Sequence, residues 1–254
     1  MTDLSAMARA ALSVGTRVSG ILVFTPFPGG AAVPARIKAG FTAGLTILLF
    51  PLYGVIADER VGHSLVLTML AELCVGVILG LTTTFIFEAA QLAGNYAGMQ
   101  VGFSLVNIID PQSQVETPVL STLHQLFALL IFLQLNVHHW LIRGVSKSFE
   151  YMPQGAFTAN GRVVECLLHG AAGIFLAAIQ IAAPILLCTM AVDLALGFIA
   201  KSSPQLQVLF LGFPIKTSLA LGVWMGVIAL WPSIFERYFV EAIAAGERTL
   251  HLAK

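Results

Sequence analysis

Residues 65–103 read LVLTMLAELCVGVILGLTTTFIFEAAQLAGNYAGMQVGF. The stretch has no proline, and its only charged side chains are Glu72 and Glu88. It reads as helix almost throughout. At the helical rise it would be ~58 Å long, far more than the ~30 Å hydrocarbon core of a bilayer. An apolar helix of this length decides the class of the chain, an all-α membrane protein. It also raises a problem, because such a helix either breaks or leaves the membrane.

The rest of the sequence extends the same reading. The 254 residues are 57% hydrophobic and 10% charged, with a mean hydropathy of +0.89. Soluble domains carry about 25% charged residues. Charge-free windows recur near 18–35, 39–57, 73–87, 117–142, 166–192 and 217–235. They predict about six long helices, near 10–25, 38–57, 65–92, 118–142, 165–200 and 206–231, kinked or broken where the pattern is interrupted. Thr117-Pro118 and Ser203-Pro204 pair an N-cap residue with proline at the first helical position. Between 143 and 163 a polar linker is expected on the surface. Arg9 and Arg17 interrupt the first apolar run, so it does not read as a cleavable signal.

A formal net charge of zero gives no reason to expect a nucleic-acid partner. Cys74, Cys166 and Cys188 all lie inside apolar runs and read as small buried hydrophobes. Glu72, Glu88, Asp193 and Lys216 are buried-charge candidates. Each sits in an apolar run, is costly in lipid, and should face protein or water.

Glycines mark expected helix contacts. Gly76 and Gly80 form one small-xxx-small pair. Ala90, Gly94, Gly98 and Gly102 recur every four residues, which puts them on one helical face that another backbone can approach. Glu88, Gln91 and Asn95 form a polar stripe opposite, either a hydrogen-bonded helix contact or a water-facing wall. From Ser233 the chain predicts an amphipathic helix, with Phe235, Phe239 and Ile243 on its apolar side, lying at the interface or against a partner.

If all six helices cross, Arg9, Arg60, Arg143, Lys147, Arg162, Arg237, Arg248 and Lys254 share one side. Only Arg36, Lys38 and Lys201 lie on the other. The positive-inside rule then puts the C-terminal tail in the cytoplasm and the loop at 93–117 on the opposite side.

No enzymatic constellation emerges. Adjacent His138 and His139 point about 100° apart on a helix and do not readily share a metal. The sequence has no HExxH, GxSxG, P-loop or GxGxxG pattern. No cofactor or metal is expected. A small-molecule or ion transporter using the four buried charges is the rival from another class, although the repeated halves common in transporters are not visible.

Four stretches, in order, carry a family resemblance: TPFPGGAAVPARIK (25–38), GVILGLTTTFIFEAAQLAGNYAGMQVGFSLVNIIDP (76–111), NVHHWLIRGVSKSFEYMP (136–153) and SPQLQVLFLGFPIK (203–216). The chain resembles the FliR family of the type III protein export gate. Each stretch alone is a weak signal, and the four in this order, among them Gln-x-Gly-Phe-Ser at 100–104 and Gly-Phe-Pro-x-Lys at 212–216, are quite specific. Val137 stands where a glycine is usual, and Lys201-Ser202-Ser203 where Arg-x-Ala is common.

The resemblance implies a non-enzymatic subunit that joins FliP-like and FliQ-like chains, with FlhB and FlhA homologues nearby. Together they form an inner-membrane channel for unfolded flagellar proteins at the basal body, or for the substrates of a virulence injectisome. Residues 1–160 would be the FliP-like part, 161–232 a FliQ-like hairpin and 233–254 the tail. The loop of about 103–117 would be the pore plug, with Phe103, Ser104, Leu105, Val106, Asn107, Ile108, Ile109, Asp110 and Pro111 at its working end. Its composition is compatible with that role. Irregular backbone at membrane depth is tolerated only inside protein or along a water cavity. Apolar side chains would exclude water while polar ones satisfy the backbone.

Overall fold

The computed structural model describes residues 2–26, 33–53, 64–102, 119–203 and 208–253. Among them the regular structure is helical: α1 (Thr2–Phe24), α2 (Ala35–Tyr53), α3 (Leu65–Val101), α4 (Val119–Gln134), α5 (Val137–Tyr151), α6 (Gly161–Ser202), α7 (Val208–Val227) and α8 (Trp231–Leu252). A single 3-10 turn, Ile228–Leu230, joins α7 to α8. Five helical stretches are long and apolar enough to cross a membrane, or six if the bent pair α4–α5 counts as one crossing. The protein is therefore an all-α membrane protein.

Local chemistry sets the ends of these helices. Glu72 and Glu88 do not interrupt α3, which runs unbroken for 37 residues. It stops where Gly102 turns left-handed at φ 100°, its N–H donating to the Gly98 carbonyl at 3.2 Å. Glycine takes this conformation without the steric cost a Cβ would bring. After α1 comes Thr25-Pro26, and the residue before a proline avoids the helical region. The Phe24 carbonyl at its end accepts from the Thr84 hydroxyl. Pro184 lies inside the 42-residue α6 and removes one backbone donor there.

The expected single helix over 118–142 is two. Asn136 sits at φ 55°, ψ 29°, and α4 and α5 meet at a bend of 67°. The windows of apolar residues run through the break without a proline or glycine. Asparagine alone marks it, because its short polar side chain makes the left-handed region accessible. The expected surface linker is also different. Residues 143–151 belong to α5, and the non-helical strap from Met152 to Asn160 begins with a fully buried methionine.

Chain contacts divide the protein into two compact units. The first holds residues 1–86, 132–172 and 237–254; the second holds 87–131 and 173–236. This contact-based division is distinct from the sequential one at residue 160, which concerns likeness to other subunits.

In the first unit, α1 crosses α3 at glycines. A Cβ on Gly20 would lie 2.8 Å from the Leu73 carbonyl oxygen, and one on Gly76 would collide with the Arg17 carbonyl oxygen. Val14, Val18, Ile21, Val75 and Ile78 pack around the crossing. The amphipathic tail packs here on its own chain. Phe239, Gly246, Thr249 and Leu250 are buried, and Gly246 lies against Leu79 and Thr82 of α3.

In the second unit, α3 meets α4 at Gly94, where a Cβ would come within 2.8 Å of the Ser121 backbone nitrogen. The Ser121 hydroxyl donates to the Gln91 carbonyl at 3.0 Å. Trp224 and Trp231 pack around His124, with ring centroids 6.0 and 4.8 Å away.

Candidate functional site

The most concentrated polar chemistry lies within the first unit, at Arg17 and Glu72. Arg17 is on α1 and Glu72 on α3; their side chains are 0% and 1% exposed. Arg17 Nε donates to Glu72 Oε2 at 2.6 Å. Its other nitrogens donate to the Ser148 hydroxyl at 3.2 Å and the Met152 carbonyl at 3.0 Å. The guanidinium carbon lies 4.1 Å from the centroid of the Phe149 ring, within cation–π range. Glu72 uses its second oxygen to accept from the Gly155 N–H at 2.9 Å. Gly155 has φ 75°, so a glycine is what lets the strap turn its N–H toward the carboxylate.

The strap makes further bonds around this pair. Gln154 accepts from the Ser13 hydroxyl at 2.6 Å and donates to the Tyr53 carbonyl at 3.2 Å. Thr158 donates to the Ala253 carbonyl, and Asn160 Nδ2 donates to the Leu252 carbonyl at 2.6 Å. Those carbonyls end α8 and have no partner within their own helix. The strap thus gathers α1, α2, α3, α5 and α8 into one polar junction. Both charges are paired and hydrogen-bonded, the condition for keeping ions out of water. The arrangement holds helices together. It offers no reacting group and no free ligand position.

A second polar cluster lies within the second unit. Asp193 of α6 forms an ion pair with Lys216 of α7 and accepts from Gln100 Nε2 at 3.1 Å. Gln100 is two residues before Gly102, where the described part of α3 stops. Both members of the ion pair are half-exposed. Among the described residues no trio of His, Cys, Asp or Glu could hold a metal ion. The rings of His138 and His139 lie 4.2 Å apart at a 38° tilt.

The sequence pattern of the family described as "Bacterial export proteins, family 1" matches residues 8–242. The chain belongs to that family. Relatives extend the match. Flagellar biosynthetic protein FliR of Bacillus subtilis (strain 168) is 32% identical over 234 residues, covering 90% of each chain. FliR of Escherichia coli (strain K12) is 30% identical over 227 residues, 89% of this chain and 86% of the relative. FliR of Caulobacter vibrioides is 23% identical over 228 residues, 86% and 89% of the two chains.

In this bacterial export protein the residues singled out by sequence have different places. Phe103, Ser104, Leu105, Val106, Asn107, Ile108, Ile109, Asp110 and Pro111 lie outside the described residues, as does Thr117-Pro118. Gly76, Gly80 and Gly94 sit where another backbone comes close, and Gly98 is buried. Gly102 stands just past the end of α3, in the left-handed region. Of the four expected buried charges, Glu72 alone is fully buried. Asp193 and Lys216 are half-exposed partners, and Glu88 is exposed. The last is a correction. The buried side of α3 in that unit runs through Ala89, Ala90, Ala93 and Ala97, and Glu88 points away from it.

Sequence reasoning missed Arg17 as a site residue, along with Gly20, Ser148 and Gly155. The signal for Arg17 was present. A lone cation in one apolar run and a lone anion in another are each other's cheapest neutraliser in a membrane protein.

Proposed function

We propose that this chain is a core subunit of the flagellar type III protein export gate. In this reading it sits in the bacterial inner membrane at the basal body, with its C-terminal tail in the cytoplasm. It builds a channel with FliP-like and FliQ-like chains, next to FlhB and FlhA homologues, and passes unfolded flagellar proteins without acting as an enzyme. The observation that carries the reading is the near full-length likeness to flagellar biosynthetic proteins. The distribution of Lys and Arg supports the orientation.

The loop of about 103–117 is the plug in this reading, closing the channel at rest. Gly102 supports it, because its left-handed backbone ends α3 one residue before the loop starts. The Asp193–Lys216–Gln100 cluster fits as an anchor for the α3 end from which the loop starts. Deleting residues 106–114 tests the plug. Resting cells should become permeable to small solutes while secretion continues. Tight cells with normal secretion would remove the plug role.

A virulence injectisome would use the same architecture, and secretion of flagellin against needle protein from the host strain distinguishes the two. An ion transporter is the remaining alternative. It rests on the intramembrane charges, and purified chain with measurable substrate binding and no partner subunits would favour it.

A further inference from the structure

Asp193 joins two of the segments that carry the family resemblance. Gln100 belongs to the Gln-x-Gly-Phe-Ser segment and Lys216 to the Gly-Phe-Pro-x-Lys segment. One Asp193 oxygen pairs with the Lys216 ammonium, and the other accepts from Gln100 Nε2 at 3.1 Å. Little apolar surface holds the last turn of α3 beside this cluster. Its buried side chains are Ala97 and Val101, packed on Leu120, Ile185 and Ala220. A void of about 10 Å³ remains among Val101, Leu120, Ile185 and Ala220. Upstream, Gly94 meets the Ser121 backbone directly. The end of α3 is therefore held by two small side chains and one polar cluster.

The cluster is weak enough to open. Its ion pair is 21% exposed at Lys216 and 42% at Asp193. Pairs this open to water favour the joined state only about 1.4- to 5-fold. The Gln100 hydrogen bond contributes a further factor of about 2 to 12. A bias on the order of tenfold leaves the parted state populated and within reach of a modest push. The other ion pair behaves differently. Arg17 and Glu72 are 0% and 1% exposed, and parting them carries a penalty on the order of a thousandfold. One pair is a permanent tie between helices, and the other is reversible.

The backbone is weakened beside the same contacts. Ile185 follows Pro184 inside α6, and Lys216 follows Pro214 by two residues inside α7. Each proline removes one helical hydrogen bond and is a usual place for a helix to bend.

We propose that Gln100, Asp193 and Lys216 form a latch. It is made at rest, where it holds the last turn of α3 on α6 and α7, and it parts during export. The latch rests on the export-gate function proposed above and adds that this contact must open for the chain to work. A fixed anchor would tolerate being strengthened, whereas a latch would not.

The variants are placed in the full chain and expressed with its co-purifying subunits in a host deleted for the wild-type copy. Resting leak of a small solute, secretion of an export reporter and the mass of the complex are read together. Asp193→Asn loses the ion pair and keeps an acceptor for Gln100. It should raise resting leak about threefold with the complex intact. In the swap Asp193→Lys/Lys216→Asp, Gln100 can turn its amide and offer Oε1 in place of Nε2, so leak should return close to that of the wild type. Gln100→Arg gives Asp193 a charge-assisted partner and should slow secretion about threefold, again with the complex intact. Wild-type secretion by Gln100→Arg would overturn the latch, as would a tight Asp193→Asn. Loss of the complex in either variant would assign the cluster a purely structural role and overturn it as well. Unchanged secretion in the deletion host alone would instead remove the export-gate function, and the latch with it, which separates the two failures.

Discussion

Removing the carboxylate of Glu72 should be the most damaging single change in the polar junction, and removing Arg17 with it should undo much of the damage. Glu72→Leu leaves the Arg17 guanidinium buried beside Phe149 with only Ser148 and the Met152 carbonyl as partners. Breaking a buried pair in this way costs roughly 3–5 kcal/mol. The Gly155 N–H also loses its acceptor, a loss of about 1–3 kcal/mol that overlaps the first. A net loss of about 4 kcal/mol corresponds to a fall in Tm of ~10 °C for a chain of this length. The double variant Arg17→Leu/Glu72→Leu buries no charge. It leaves the Gly155 N–H and the Met152 carbonyl without their side-chain partners, and should lose only about 1–3 kcal/mol. The assay is thermal unfolding in detergent, followed by size exclusion and by near-UV circular dichroism. A double variant at least as unstable as Glu72→Leu would show that the buried pair is not what Glu72→Leu breaks, as would a single-variant shift under about 2 °C.

Three further outcomes follow from the same geometry. Gly76→Ala forces a methyl against the Arg17 backbone and should destabilise by about 1–3 kcal/mol. Gly222→Ala, where a Cβ meets nothing within 4 Å, should be neutral or stabilising by about 0.5–1 kcal/mol, so equal melting shifts would contradict the packing account. Asn136→Gly should preserve the α4–α5 bend and Asn136→Val should cost about 1–2 kcal/mol; thermal unfolding of the two variants checks this. Lys216→Met and Asp193→Asn should each impair secretion, and the swap Asp193→Lys/Lys216→Asp should restore part of it in a motility assay. A swap worse than either single change would mean the pair does not act as a unit.

The helices were readable because hydropathy needs only local sequence. Length and apolar run gave α3, α6 and α7 close to their observed positions, and Gly76 and Gly94 stood out by four-residue spacing. The misread features depend on what lies opposite. Glu88 and Glu72 look alike in sequence, each a lone acid in an apolar run. One faces a buried arginine 55 residues away, while the other points off the alanine face. Gly102 keeps the spacing of Gly94 and Gly98 yet ends the helix, since spacing does not encode φ. The strap from Met152 to Asn160 reads as a polar surface connection because its partners, Glu72, Leu252 and Ala253, are far away in the chain. The bend at Asn136 carried only a weak local cue, one asparagine in an otherwise continuous pattern.

The proposed function makes this chain one subunit of a multi-chain export channel. Its most direct test is the mass and composition of the complex recovered when the tagged full chain is expressed with the FliP-like and FliQ-like chains of the same genome. A single large, stable particle containing all three is expected, with poor yield of the chain expressed alone. A stable monomer or dimer that excludes both partners would contradict it.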